Sequence, residues 1–220
     1  MGYYDIHDYV SNSELNNLRN AAYVREGGTA ANYDFGNLVH AKVSEEHRIT
    51  GNTLLKESGE TVVFEAQHIN TARKMAEAYK SRSDLKTMFE GAKVEHAFFR
   101  EAFEIICEGV TFTMRVKCKL DLFRKGIIGG DFKTTVCTNE ANFLDTLTYF
   151  HIDQQVAWYM DIARLDRFMI IGLSKKVKGG KYQVFTWLIN RGDDLYNSGK
   201  EKYSRLAMRY HFLTQNFLIK

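Results

Sequence analysis

Hydrophobic positions recur with helical spacing in the first third of the chain and with strand spacing after it. Ser11 or Ser13 can cap a helix through Leu15, Leu18 and Ala22, with Glu14 in its favourable first turn. After a break at Gly27-Gly28, a second helix is predicted from Asn32 to Glu45, with Gly36 and His40 four apart on one face. A glycine there can admit another backbone closely, or simply serve packing. Residues 48–66 carry no single period; Gly51 and Gly59 mark turns and Thr61 to Phe64 is a short β-type run. The stripe Ala72, Met75, Ala76 and Tyr79 predicts a helix over about 70–80, with a shorter helical piece near Leu85 to Phe89.

From Glu95 the pattern changes. HAFFREAFEIIC reads as a strand, followed across a Glu108-Gly109 turn by a strand over 110–118. The stretch from Arg115 to Thr135, RVKCKLDLFRKGIIGGDFKTT, reads as a hairpin: Leu120, Leu122 and Phe123 flank Asp121, Arg124-Lys125-Gly126 form a polar turn, and Ile127-Ile128 open a run ending in Asp131-Phe132-Lys133. Asn139 can cap a helix through Phe143 and Leu147. A further helix over about 148–165 carries the stripe Tyr149, Ile152, Val156, Met160 and Ala163, with Gln155 and Tyr159 on its flank. Strands Phe168 to Leu173 and Tyr182 to Ile189 are joined by SKKVKGGK, turning at Gly179-Gly180. The chain is helical again from Asp193 to about Phe217, where Leu195, Tyr203, Leu206, Ala207, Tyr210 and Leu213 can cover a sheet. With no repeat or linker, this is one α/β (α+β) domain over 1–220: a central mixed sheet flanked by helices, with a helical part over about 1–90 and the sheet and its helices over about 91–220.

The 45% hydrophobic content over 220 residues suffices for one substantial core, and no apolar run approaches a membrane span. The N-terminus lacks a signal-peptide pattern, so a cytoplasmic protein is expected. A net charge of +3 neither requires nor excludes nucleic acid. Cys107, Cys118 and Cys137 are odd in number and lack C-x-x-C spacing, which argues against disulfides, a zinc site or a four-cysteine cluster and for buried thiols. Proline is absent, so turns rest on Gly, Asn, Asp and Ser.

The chemistry concentrates in the hairpin. Side chains alternate along a strand, so Asp131 and Lys133 share a face, Phe132 points away into a core, and the paired strand can bring Asp121 to the same polar face. Two carboxylates beside an ammonium suit a hard divalent cation such as Mg2+ together with a phosphate. A D-x-K triplet alone also occurs at solvated strand ends, so the surrounding motifs matter. The lysines 175, 176, 178 and 181 form the densest basic cluster, either merely solvated or in contact with a DNA backbone.

Asp121, Asp131 and Lys133 on a hairpin resemble the core motif of the PD-(D/E)XK nuclease superfamily, with Leu120 where the family name has proline. Further motifs, in the same order, resemble its RecE/lambda-exonuclease-like and RecB-like members: Ser11-Asn12-Ser13-Glu14-Leu15, Gly36 to His40, a strand-initiating Glu95, and Gln155 to Tyr159. Glu101 and Glu104 are rivals to Glu95, and Gln154 to Gln155. The resemblance implies a restriction-endonuclease-like core and Mg2+- or Mn2+-dependent hydrolysis of DNA. Asp121, Asp131 and the Phe132 carbonyl would bind metal, with Glu95 and His40 completing one or two sites. Lys133 would orient water or stabilise charge, and Gln155 and Tyr159 would position the strand end or its phosphate. It further implies an exonuclease on linear duplex DNA of phage or prophage type, a single-strand annealing recombinase as partner, and a homo-oligomer. The rivals are an endonuclease of restriction or repair type on the same core and a catalytically silent DNA-binding module.

Overall fold

Ser11 opens the first helix with a reciprocal cap. Its Oγ accepts the Glu14 N–H at 3.3 Å, while the Glu14 carboxylate accepts the Ser11 N–H at 2.6 Å and its hydroxyl at 2.7 Å. Ser11 is therefore the cap, and Ser13 lies inside the helix, α1 (Asn12–Ala22). The computed structural model describes Tyr3, residues 6–22 and residues 29–217; the expected Gly27-Gly28 break lies outside them. Helix α2 (Ala30–Ser44) begins at Thr29, whose hydroxyl accepts the Asn32 N–H. The stretch without a clear period folds as a small antiparallel sheet of β1 (Ile49–Thr50), β2 (Thr53–Leu55) and β3 (Thr61–Val63), of which the sequence pattern gives only the last strand. Helices α3 (Ala66–Lys80) and α4 (Ser83–Met88) follow.

The main sheet takes its five strands in sequence order: β4 (Lys93–Cys107), β5 (Val110–Arg124), β6 (Ile128–Thr135), β7 (Arg167–Lys178) and β8 (Lys181–Asn190). Neighbours run antiparallel except β6 and β7, which are parallel and joined across α5 (Glu140–Tyr149) and α6 (Ile152–Ala163), as a parallel pair requires. Helix α7 (Asp194–Phe217) closes the chain. One face of the sheet packs on α6 and α7 through Trp158, Met160 and Tyr203, the other on α2 and α3 through Leu38, Met75 and Phe132. The three cysteines are free and buried. Among the described residues, no helix is long and apolar enough to cross a membrane.

Three expectations are corrected. The helix expected over 148–165 is split, because His151 adopts a left-handed conformation (φ 55°) between α5 and α6; Tyr149 belongs to α5 and is exposed. Ile127 closes the hairpin turn, donating its N–H to the Arg124 carbonyl, and the strand starts at Ile128. The basic segment is strand rather than loop: Lys175, Lys176 and Lys178 end β7, Lys181 opens β8, and only Gly179-Gly180 turn, at φ 58° and 76°.

What positions the functional residues is a fork. β6 pairs with β5 only through Leu122↔Gly130, Phe123↔Gly129 and Arg124↔Ile128, then continues beside β7 as far as Thr135. The two glycines let rings press on both faces of β6 here: a Cβ on Gly129 would stand 2.7 Å from the Phe168 ring, and one on Gly130 2.8 Å from the Phe89 ring. Beyond the fork, β5 is bordered by Val10, which bridges it in parallel at Val116.

Candidate active site

Asp121 sits at the vertex of the fork. Its Oδ2 accepts the Phe132 N–H at 2.6 Å, replacing a ladder bond that the diverging strands no longer make. The hydrophobic pattern changes parity at the same point: alternate residues from Phe112 to Leu120 face the α6 side, whereas Leu122 faces the α2 side. On β4, Val94 pairs with Leu122 and His96 with Leu120, so Glu95 stands opposite Asp121, its backbone at φ 51°. A non-glycine residue in that region is uncommon and carries strain, which here turns the carboxylate into the cleft. His40 comes from α2, with Nδ1 3.5 Å from Asp121 Oδ2 and Nε2 2.9 Å from the Phe132 carbonyl oxygen. That carbonyl, expected as a metal ligand, thus faces an imidazole nitrogen. Gly36, one turn earlier, would tolerate a Cβ 3.7 Å from Thr134 Oγ1, so close backbone approach does not require it.

Asp131 and Lys133 share a face of β6, while Phe132 is buried on the other among α2 and α3. The Lys133 Nζ lies 2.7 Å from Asp131 Oδ2, and Gln155 on α6 donates its amide to Asp131 Oδ1 at 3.0 Å. Tyr159, one turn further along α6, lines the same cavity of about 380 Å3, together with His40, Glu95, Asp121, Asp131 and Lys133. Gln154 faces the other way, fully buried, holding Asn12 and Asn16 with its amide nitrogen and Arg19 with its oxygen. Glu101 binds Tyr9 and Arg115 at the surface, and Glu104 lines a separate cavity with Asp161 and Arg191. Of the rival pairs, Glu95 and Gln155 are the ones brought to the cleft.

The electrostatics follow from burial. Asp121 is pushed up to about 7, first by desolvation and then by the charges of Asp131 and Glu95, against the pull of His40. Burial also raises Glu95, opposed by Lys119. Burial disfavours the charged Lys133, but the carboxylates of Asp131 and Asp121 outweigh it and raise its pKa. Tyr159 is raised well above the usual phenol value by burial and by Asp131, so its hydroxyl stays a donor.

This donor set fits a divalent cation. One ligand atom from each of His40, Glu95 and Asp121 lies within 4.8 Å of the others. The buried Asp131 Oδ2 meets the Lys133 ammonium at 2.7 Å. Carboxylates and one imidazole at such spacing can ligate a divalent cation. The lysines 175, 176, 178 and 181 are not in this cavity; Lys175 lies over the Phe35 ring at 4.4 Å, and the next two on β7 and Lys181 are exposed. Sequence reasoning missed Lys119, Glu57, Arg48 and Lys117, which line the same cavity. The spacing Lys117, Lys119, Asp121, which sets all three on one strand face, was the available signal for the lysines.

No family model and no curated protein matches the sequence. Among solved structures, a proposed exonuclease from Eubacterium rectale aligns over 91% of this chain and 80% of its own at 15% identity, with a TM-score of 0.56. A phage-related exonuclease from Haemophilus somnus aligns over 97% and 98% at 13% identity and a TM-score of 0.42, and an alkaline exonuclease from Laribacter hongkongensis over 96% and 94% at 11% and 0.34. The first likeness establishes a shared fold.

Proposed function

We propose that this chain is a divalent-cation-dependent deoxyribonuclease, an exonuclease acting on linear double-stranded DNA. The observation that carries the reading is the convergence of His40, Glu95 and Asp121 within 4.8 Å at the fork, beside an Asp131 held by Lys133 and Gln155. The fold it shares with the Eubacterium rectale protein, itself a proposed exonuclease, supports the same reading.

His40, Glu95, Asp121 and Asp131 would hold Mg2+ or Mn2+. Such an ion supplies Lewis-acid charge against a phosphate oxygen and acidifies water near neutral pH. Lys133 brings a fixed ammonium to the side of Asp131, where it orients the attacking water and offsets charge developing on phosphorus. Gln155 fixes the rotamer of Asp131 through Oδ1 and leaves Oδ2 to Lys133. The Tyr159 phenol donates toward the phosphate, and burial keeps it protonated. The exposed lysines 176, 178 and 181, with Lys175 at their base, would contact the DNA backbone without reading sequence.

The N-terminal pattern extends the proposal to the cytoplasm, and the sequence resemblance extends it to a single-strand annealing recombinase that takes the exposed strand and to a homo-oligomer that encloses the duplex. Incubation with end-labelled linear duplex and covalently closed circular duplex separates the enzymatic readings. Loss of the linear DNA alone is the exonuclease result; nicking of the circle would replace it with an endonuclease on the same core.

A further inference from the structure

Two trios of ligating side chains meet at the fork and share Glu95. One is His40, Glu95 and Asp121; the other is Glu45, Glu57 and Glu95, again with one donor atom of each within 4.8 Å of the others. The second trio already contains cations of the chain. Lys119 Nζ lies 2.5 and 2.6 Å from the two Glu57 oxygens and 2.8 Å from Glu95 Oε2. Arg48 Nη1 lies 2.5 Å from Glu45 Oε2 and 3.7 Å from Glu57 Oε1, and its Nε donates to the Leu55 carbonyl. By contrast, Asp121 has His40 as its one ion-pair contact within 4.0 Å among the described residues, with the Lys133 charge acting on it from further away.

Lys119 reaches this position by strand geometry. It precedes Asp121 by two residues on β5, so both side chains leave the same face, one toward each trio. Its side chain is only 13% exposed and that of Glu95 17%, so this contact is weakly screened; Glu57 is more exposed, and an entering ion would have to displace both contacts.

Resting on the nuclease reading, we propose that Lys119 is a positioning residue that takes the place of a second metal ion. Its ammonium neutralises the trio of Glu45, Glu57 and Glu95 and holds Glu95 beside His40 and Asp121, so the site takes one divalent cation rather than two. In that arrangement Lys119 sets the metal count and the orientation of a ligand without touching substrate.

The test counts Mn2+ bound by the full chain near neutral pH, from loss of the free-ion EPR signal, for the unaltered protein, Lys119→Met and Lys119→Arg. One equivalent is expected for the unaltered chain and for Lys119→Arg. Two are expected for Lys119→Met, which keeps the volume of the stem and removes the charge; Lys119→Gln serves if the methionine variant does not fold. Two equivalents on the unaltered chain overturn the proposal whatever the variants do, and leave the nuclease reading standing. One equivalent at unchanged affinity on a folded, charge-free variant also overturns it. No Mn2+ uptake by the unaltered chain overturns both the proposal and the nuclease reading.

Discussion

The carboxylate of Asp121 accepts the backbone N–H of Phe132 at 2.6 Å, so one side chain both ends the β5–β6 ladder and faces the cleft where the strands part. Its structural and chemical roles can be separated by substitution. Asparagine keeps an acceptor for the Phe132 N–H, whereas alanine orphans it, so Asp121→Ala should be less stable than Asp121→Asn by about 1–3 kcal/mol in urea unfolding. Both variants should lose cleavage, because neither retains an anionic ligand.

Gln155 and Gln154 are adjacent yet serve opposite sides of α6, and their alanine variants should dissociate cleanly. Gln155→Ala frees Asp131 and should lower the cleavage rate by about 10- to 100-fold with little change in stability. Gln154→Ala removes the buried link to Asn12, Asn16 and Arg19 and should cost about 1–3 kcal/mol while the folded fraction keeps its rate. Rate and unfolding curves measured on both variants decide it.

Asp121 also predicts how pH acts on the metal-free chain. Its folded pKa, about 7, lies above the unfolded value of 3.8, so the folded state binds the proton more tightly. The resulting stability is fully present below about pH 4 and is lost as pH rises through about 7. A divalent cation needs the ionised carboxylate, so Mn2+ should raise Tm clearly at about pH 8 and progressively less toward about pH 5. Thermal unfolding across that range, with Mn2+ and with EDTA, measures both trends.

The basic strand ends should contribute through charge alone. Replacing Lys176, Lys178 and Lys181 with glutamine should weaken duplex binding equally across sequences and flatten the slope of log K against log salt by about 0.9 for each phosphate no longer neutralised. An unchanged slope would leave these residues merely solvated.

Where local chemistry determines structure, the sequence was legible. The Asp131-Phe132-Lys133 alternation, the Asn139 cap and the step from Gln155 to Tyr159 follow from strand and helix periods, and the structure has them as the pattern predicts. The split between α5 and α6 was not legible, because Tyr149 fits the helical stripe and only the left-handed backbone of His151 breaks it. The small sheet escaped because its strands are two or three residues long, too short for a period. Lys119 escaped because its partner Glu57 is 62 residues away, and nothing local links them. A Cβ on Gly199 would stand 2.0 Å from the Asp153 carbonyl oxygen, so this glycine lets α7 cross α6 closely; that reason exists only in the packed structure.

Asp131→Asn gives the most direct test of the central claim that the fork is a metal-dependent nuclease site. Asparagine can still accept from Gln155, so the fold should persist while the charge beside Lys133 is lost. On end-labelled linear duplex, the unaltered chain should release nucleotides with Mg2+ or Mn2+ and none with EDTA, and Asp131→Asn should be slower by about a thousandfold or more. Cleavage that survives EDTA, or a folded Asp131→Asn that cuts at the unaltered rate, would contradict the account.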